Sequence, residues 1–173
     1  MDIVENLDAW GEAYENGWLA DLQANGTPNY KIYQRAKNSA APAGPGIELS
    51  QSRLLFISSA GGYLRDSQEP YDAENLLGDY TIRRFAVDTP FAKIAYAQTH
   101  YDHTAVNTDP QVLLPLQHLR DMAAEGIIGS LYPDMISFHG YQPDVRRTVR
   151  ETIPAIREAI RGEKIDGVLL VPA

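Results

Sequence analysis

Short apolar runs separated by amphipathic helices most limit how this chain can fold. Residues 54–57 and 167–171 are apolar enough to form strands that are buried on both faces. Between these runs, residues with helical spacing follow Pro115 and Pro143, and each helical pattern ends at a glycine. Strands that alternate with helices predict an α/β fold, a three-layer domain with a mainly parallel sheet.

Two more strands are predicted within this domain. Residues 94–97 indicate a second strand of the sheet, and the second half of residues 127–138 indicates another. Pro154 lies inside the last helical pattern, where a proline removes a backbone hydrogen bond. We therefore expect that helix to kink or restart there.

The first part of the chain has a different pattern. Residues 1–36 are predicted to form a helical appendage, residues 37–52 a linker, and residues 53–173 the α/β domain. One apolar stripe follows the helical repeat through Ile3, Leu7, Trp10, Tyr14, Trp18 and Leu22. Such a stripe is typical of packing against either the core or a partner, and the sequence leaves both open.

Composition excludes several classes of function. A net charge of −8 disfavours binding to nucleic acid, because both surfaces would be negative. The chain has no cysteine, so disulfides, thiolate nucleophiles and iron–sulfur clusters are excluded for these residues. The acidic start is unlike a secretory signal, and no apolar run approaches the ~20 residues that span a bilayer. We expect a cytoplasmic protein without a membrane partner.

The predicted topology places a ligand site beyond the carboxyl ends of the strands. Four segments lie there, comprising residues 58–63, 98–109, 137–141 and 171–173. They contain three of the four histidines and a diglycine. This convergence is the most informative functional signal in the sequence.

The densest group of reactive side chains is His100, Tyr101, Asp102 and His103. Such side chains are suited to acid–base catalysis, and we predict all four as catalytic. In an extended segment, His100 and Asp102 point one way while Tyr101 and His103 point the other. The alternative is a loop whose polar side chains bind its own backbone.

His139 follows an apolar strand and is predicted to complete this catalytic group. His100, His103 and His139 together are also candidate ligands for a divalent metal, whose identity the sequence leaves unknown. The alternative is a histidine with a structural role beside Phe138.

Four residues are predicted to contact the substrate: Gly61, Gly62, Arg83 and Asn107. The diglycine offers backbone N–H groups to a carboxylate, and the alternative, which the sequence favours, is a tight turn. Arg83 suits bidentate binding of a carboxylate, and a solvated side chain is its alternative. The sequence contains no nucleotide, flavin or iron–sulfur motif.

Read together from about Arg53 onward, several segments form a recognisable series. They are Ser59-Ala60-Gly61-Gly62-Tyr63, Gly78-Asp79-Tyr80-Thr81-Ile82-Arg83, His100-Tyr101-Asp102 with Asn107 and Asp109, residues 115–129, Ser137-Phe138-His139-Gly140, Pro154-Ala155-Ile156, and Asp166-Gly167-Val168-Leu169-Leu170. Their order and spacing resemble the selenoprotein subunit family (B-type) of the glycine, sarcosine, betaine and D-proline reductases.

The resemblance implies a fold, a reaction and a partner. The family reaction is reductive cleavage of a carbon–nitrogen bond in a small amino acid or betaine, and a companion subunit can supply a pyruvoyl group. The resemblance places a selenocysteine or cysteine shortly after the strand at residues 167–171, and none of the 173 residues is either. The match corresponds to about the N-terminal half of the family's chain.

Three functions are consistent with these observations. The first is an oxidoreductase-family enzyme, a homo-oligomer that acts on a small amino acid or related carboxylate through its histidine and aspartate loop. The second is a non-catalytic subunit of a split reductase, completed by a complementary subunit. The third is a module that binds a small metabolite.

Overall fold

A computed structural model of the protein describes residues 3–41, 44–97, 99 and 101–173. The strands are β1 (Arg53–Ser58), β2 (Gly62–Leu64), β3 (Ile82–Ala86), β4 (Ile94–Tyr96), β5 (Ser130–Leu131), β6 (Asp134–Phe138) and β7 (Gly167–Val171). The helices are α1 (Leu7–Tyr14), α2 (Ala20–Asn25), α3 (Thr104–Thr108), α4 (Leu116–Ala124), α5 (Val145–Arg147) and α6 (Ile153–Ala159).

β1 is the centre of the main sheet. Ile57 aligns in parallel with Ile136 of β6 on one side and with Leu170 of β7 on the other. The short β5 extends the β6 side near the start of β1, where Leu54 aligns with Leu131. β3 closes that side of the sheet and runs antiparallel to β6. The predicted α/β fold with a mainly parallel sheet is confirmed.

Apolar side chains from β1 pack on both faces of the sheet, because neighbouring residues of a strand point in opposite directions. Leu54 and Phe56 belong to a cluster that includes Leu116 and Leu119 of α4. Leu55 and Ile57 belong to a second cluster, against which Ile156 of α6 packs. Helices therefore cover both faces, as the apolar run at residues 54–57 predicts.

The position of residues 94–97 was predicted wrongly. β4 does not join the main sheet but pairs antiparallel with β2 in a separate two-stranded ribbon. The chain turns sharply between β1 and β2, where Gly61 adopts a φ of 65°. This left-handed conformation favours glycine and directs β2 away from the edge of β1.

The last helical segment accommodates its proline through a change in helix type. A π-helical turn at Thr148–Thr152 follows α5 and leads into α6, with Pro154 in the first turn of α6. The backbone is helical at Arg147, Thr152 and Ile153, so the segment continues into α6 without a break. A kink or restart at Pro154 therefore stays a prediction.

The N-terminal helices stack their aromatic rings and contact the rest of the protein. The Trp10 and Tyr14 rings lie 5.1 Å apart, and the Tyr14 and Trp18 rings 5.5 Å apart. Arg146 forms a salt bridge of 2.7 Å with Glu15 in the π-helical turn between α1 and α2. In the parts of the chain that the structure describes, no helix is long and apolar enough to cross a membrane.

β7 forms one edge of the sheet and exposes apolar side chains on both of its faces. Val168 and Leu170 are each 55% exposed and Leu169 is 36% exposed. A parallel strand is normally covered on both faces, and an uncharged strand edge is a site for further pairing. Among the described residues, β7 pairs with β1 alone.

Candidate functional site

The carboxyl ends of three strands meet at one place. Ser58 at the end of β1 aligns with Ser137 of β6 and with Val171 of β7. The backbone N–H of Ser59 then donates to the Val171 carbonyl at 3.2 Å, and the Ala173 N–H donates to the Ser59 hydroxyl at 2.9 Å. The segments after β1, β6 and β7 are therefore held side by side, as their positions in the sequence predict.

Ala60 connects two of the predicted functional segments. It forms an isolated antiparallel bridge with His139, and its carbonyl accepts a hydrogen bond of 3.3 Å from the Tyr101 hydroxyl. Ala60 is fully buried, so this contact lies inside the protein rather than on its surface. The loop that follows β4 therefore reaches the ends of β1 and β6.

Tyr101 and His103 lie together on one side of their loop. Their rings stack with centroids 4.6 Å apart, and the ring of Tyr96 lies 6.4 Å from that of His103. Burial raises the pKa of Tyr101 to about 12, so its hydroxyl remains protonated at neutral pH. Tyr101 therefore acts as a hydrogen-bond donor, and the imidazole ring of His103 lies beside it.

Asp102 points to a different partner. Its carboxylate accepts hydrogen bonds from the hydroxyl of Thr104 at 2.7 Å and from the N–H of Thr104 at 2.8 Å. These bonds lower the pKa of Asp102. The carboxylate thus binds the first residue of α3, which is the alternative that the sequence left open. A catalytic role for Asp102 stays a prediction.

His139 is fully buried at the end of β6. Its Nδ1 lies 3.3 Å from the Tyr141 carbonyl oxygen, and its ring centroid lies 6.0 Å from that of Tyr71. The Tyr71 hydroxyl donates to the Ser137 carbonyl at 2.8 Å. The His139 ring is therefore fixed between the strand end and a buried tyrosine.

Two enclosed hydroxyl groups near the strand ends were missed by the sequence analysis. The hydroxyls of Tyr96 and Ser137 are buried and have no hydrogen-bond partner among the described residues. Burial also raises the pKa of Tyr96. Buried polar groups without a partner are uncommon and often indicate where water or a ligand binds. A tyrosine at the end of β4 had no distinguishing sequence signal.

Some of the residues predicted to contact the substrate already form hydrogen bonds within the protein. The Gly61 N–H donates to the Phe138 carbonyl at 3.0 Å, while Gly62 begins β2 and is buried. The Arg83 guanidinium donates to the carbonyls of Glu69, Pro70 and Ile82 and lies 4.4 Å from the Tyr71 ring centroid.

Asn107 is exposed on α3. The structure thus shows a turn at Gly61 and an Arg83 side chain that is bound within the protein. The substrate roles of Gly61, Gly62, Arg83 and Asn107 stay predictions.

Comparison with known proteins gives the family. A family model described as glycine/sarcosine/betaine reductase selenoprotein B matches residues 39–173. The chain belongs to this family. It is also 29% identical over 123 residues to the D-proline reductase subunit gamma of Acetoanaerobium sticklandii, a match that covers 71% of this chain and 49% of that subunit. The chain therefore spans about half the length of the curated relative it matches. No solved structure matches it significantly.

The selenoprotein B match begins at residue 39, well after the last N-terminal helix ends at Asn25. It includes every predicted site residue and leaves out residues 1–38. The family is named for a selenoprotein, yet none of the 173 residues is a cysteine or selenocysteine. The described side chains at the strand ends can donate hydrogen bonds.

The metal prediction depends on a residue that the structure does not cover. His100, a predicted catalytic residue and metal ligand, lies outside the described residues. Within the described ranges, no group of three or more histidine, aspartate or glutamate side chains is arranged to hold a metal. A divalent metal bound by His100, His103 and His139 therefore stays a prediction.

Proposed function

We propose that this chain is the substrate-binding part of an amino-acid reductase of the selenoprotein B family. Its site binds a small amino acid or a related carboxylate where β1, β6 and β7 end. The observation that carries the proposal is that Tyr101 and His139 both contact Ala60, with His103 stacked on Tyr101, in a chain of this family.

The side chains at the strand ends support a role in proton supply. Replacing a carbon–nitrogen bond by a carbon–hydrogen bond needs two electrons and two protons, one for the carbon and one for a neutral amine that departs. Tyr101 and Tyr96 are phenols with a raised pKa that stay protonated at neutral pH, and His103 lies beside both rings. We propose that the two phenols orient the substrate and that His103, together with His100, which lies outside the described residues, supplies one of these protons.

The electrons require a second component. The chain contains no cysteine, so a thiol or selenol reductant is supplied by a residue outside these 173 residues. The open edge of β7 supports a complementary subunit as its source, because Val168, Leu169 and Leu170 are exposed there. The relative's name, a subunit of D-proline reductase, is consistent with such an assembly.

Substrate binding should depend on Tyr101. Isothermal titration calorimetry with glycine, sarcosine, betaine and D-proline should show binding of at least one compound. Tyr101→Phe removes the hydroxyl that donates to the Ala60 carbonyl and holds this loop at the strand ends, and it should weaken that binding by about fivefold, the usual effect of one hydrogen bond. The His100→Ala/His103→Ala double variant should weaken it further while the circular dichroism spectrum is retained.

Tyr132→Phe is the matched control. Tyr132 is buried, and its backbone N–H donates to the Leu54 carbonyl toward the amino end of β1, away from the proposed site. Binding by Tyr132→Phe should equal that of the unmodified protein. If Tyr101→Phe and Tyr132→Phe behave alike, the proposed site is in the wrong place.

Assembly should depend on the exposed apolar edge. Native mass spectrometry of protein purified from its own host should show either a complementary chain or a second copy bound to it. Leu170→Lys places a charge on the exposed edge strand and should abolish that complex, whereas Val112→Lys, at another half-exposed apolar residue, should retain it. A monomeric protein without any bound chain would rule out the subunit proposal.

A further inference from the structure

A cavity of about 360 Å³ lies between the N-terminal segment and the loop that follows β6. Tyr30, Tyr33 and Arg35 line it from the N-terminal side, and Tyr141 and Gln142 line it from the loop. Ligand cavities in proteins begin at roughly 300 Å³, so this volume suits a compact molecule with one ring. The family match begins at residue 39, so Tyr30, Tyr33 and Arg35 lie before the matched residues.

Hydrogen bonds hold the walls of this cavity in place. The Tyr33 hydroxyl donates to the Pro143 carbonyl at 3.0 Å, and the Tyr141 hydroxyl donates to the Leu76 carbonyl at 3.0 Å. The Tyr30 and Tyr141 rings face each other edge to face, with centroids 6.3 Å apart. Because both sides are anchored, the cavity is preorganised for an apolar body placed against the rings.

Arg35 is the charged side chain that lines the cavity. Arg35 forms no salt bridge within the described part of the chain. Asp144 follows directly after the cavity loop, but its carboxylate is already paired with Arg146 at 3.0 Å. The positive charge of Arg35 is therefore available to an anion, and a guanidinium prefers a carboxylate that it can bind through two parallel hydrogen bonds.

Gln142 provides a fixed amide beside these groups. Its Nε2 donates to the Asp79 carbonyl at 3.1 Å and to the Thr152 hydroxyl at 3.0 Å. Its Oε1 is enclosed and accepts no hydrogen bond from any described residue. A carboxylate also only accepts hydrogen bonds, so an anion in this cavity would be bound by Arg35 and not by this oxygen.

We infer that this cavity is a binding site for a compact monocarboxylate, with its carboxylate at Arg35 and its apolar body against Tyr30, Tyr33 and Tyr141. The site is separate from the strand-end site in its residues and does not depend on the proposed function. It gives the N-terminal segment a binding role in addition to its packing.

Benzoate is a suitable probe because it combines one ring with one carboxylate. Isothermal titration calorimetry should detect benzoate binding, and benzyl alcohol, its neutral analogue, should bind more weakly. Arg35→Gln should weaken benzoate binding by at least about fivefold, because it removes a charge-assisted hydrogen bond. Arg157→Gln is the matched control, since Arg157 is also exposed and has no salt bridge among the described residues.

The location of binding can be read from the two tryptophan indole signals in a nitrogen–proton correlation spectrum. The Trp18 ring lies 5.8 Å from that of Tyr33, and the Trp10 indole N–H donates to the Gln34 carbonyl beside Arg35 at 2.8 Å, so both signals should shift when benzoate binds. Equal binding of benzoate and benzyl alcohol, or equal effects of Arg35→Gln and Arg157→Gln, would overturn the inference. So would benzoate binding that Tyr101→Phe weakens and Arg35→Gln does not, because it would then occupy the strand-end site.

Discussion

Replacing Gly78 with alanine should destabilise the protein by about 3 kcal/mol or more, the sum of backbone strain and a steric clash. Gly78 is buried and has a φ of 81°, in the left-handed region that an alanine adopts at a cost. A Cβ at this position would lie 2.6 Å from the Tyr141 carbonyl oxygen and 2.9 Å from Pro143 Cδ. Neither neighbour is a flexible side chain, so the loop after β6 must move.

Gly126→Ala separates the strain from the clash. Gly126 has a similar φ of 74°, but a Cβ there would meet no atom within 4 Å. This variant should lose only the strain energy, about 1 kcal/mol. Urea denaturation measures both losses, and in a two-state transition the midpoint should fall much further for Gly78→Ala. Equal losses for the two variants would show that the loop after β6 yields without cost.

Gly78→Ala should also affect both proposed sites, because the loop that it displaces contributes residues to each. Tyr141 and Gln142 line the cavity beside the N-terminal segment, and the Tyr141 carbonyl lies 3.3 Å from His139 Nδ1. A displaced loop should therefore weaken benzoate binding as well as stability. Gly126→Ala should leave benzoate binding unchanged, because Gly126 follows α4 and does not line the cavity.

The sequence predicted those parts of the fold where apolar burial alone decides the structure. The runs at residues 54–57 and 167–171 became β1 and β7, and the end of the predicted region at 127–138 became β6. The meeting of the segments after β1, β6 and β7 follows from the parallel topology. An apolar run of this length must be buried on both faces, and a parallel sheet covered by helices is the arrangement that buries it.

The short strands were harder to predict from the sequence. Their positions depend on which strand they pair with, and three residues are too few to show a periodic apolar pattern. β2 and β4 have three residues each, and their separate ribbon depends on the turn at Gly61. The antiparallel β3 follows a long polar segment, so its direction could not be deduced from alternation of strands and helices. The division of the chain into residues 1–36, 37–52 and 53–173 stays a prediction.

The segments predicted to form the site do meet in the structure, while the roles of their individual groups stay predictions. Tyr101 and His103 share one side of the loop, as alternation predicts, while Asp102 binds Thr104 instead. An aspartate two residues before a threonine fits both a catalytic group and a helix start, so sequence alone cannot decide between them. The buried Tyr96 hydroxyl was missed because its enclosure depends on the ribbon.

Raising the pH from 9 to 12 should unfold the protein. The chain has ten tyrosines, and burial is the main cause of a raised pKa in seven of them. The affected residues are Tyr14, Tyr33, Tyr71, Tyr80, Tyr96, Tyr101 and Tyr141. The pKa rises to about 12 for Tyr14 and Tyr101.

The direction in which the free energy of unfolding changes with pH follows from the number of protons bound by the folded and unfolded states. Below pH 10.0, the ordinary value for tyrosine, both states hold these protons and the stability does not change. Above it, the unfolded chain loses protons that the folded protein keeps, so the free energy of unfolding falls until the folded pKa is reached. A fully protected tyrosine contributes about 1.4 kcal/mol per pH unit, and the half-exposed rings contribute less because water screens them.

Absorbance at 295 nm, which follows tyrosine ionisation, and far-ultraviolet circular dichroism should be recorded together during the titration. We expect a large part of the absorbance change to coincide with the loss of helical signal, because the buried tyrosines ionise only as the protein unfolds. Tyr14→Phe should raise the midpoint pH, since it removes a protected proton from the balance while retaining the ring that stacks on Trp10 and Trp18. Complete tyrosine ionisation with an unchanged circular dichroism spectrum would contradict this account, because it would mean that these rings are open to hydroxide in the folded protein.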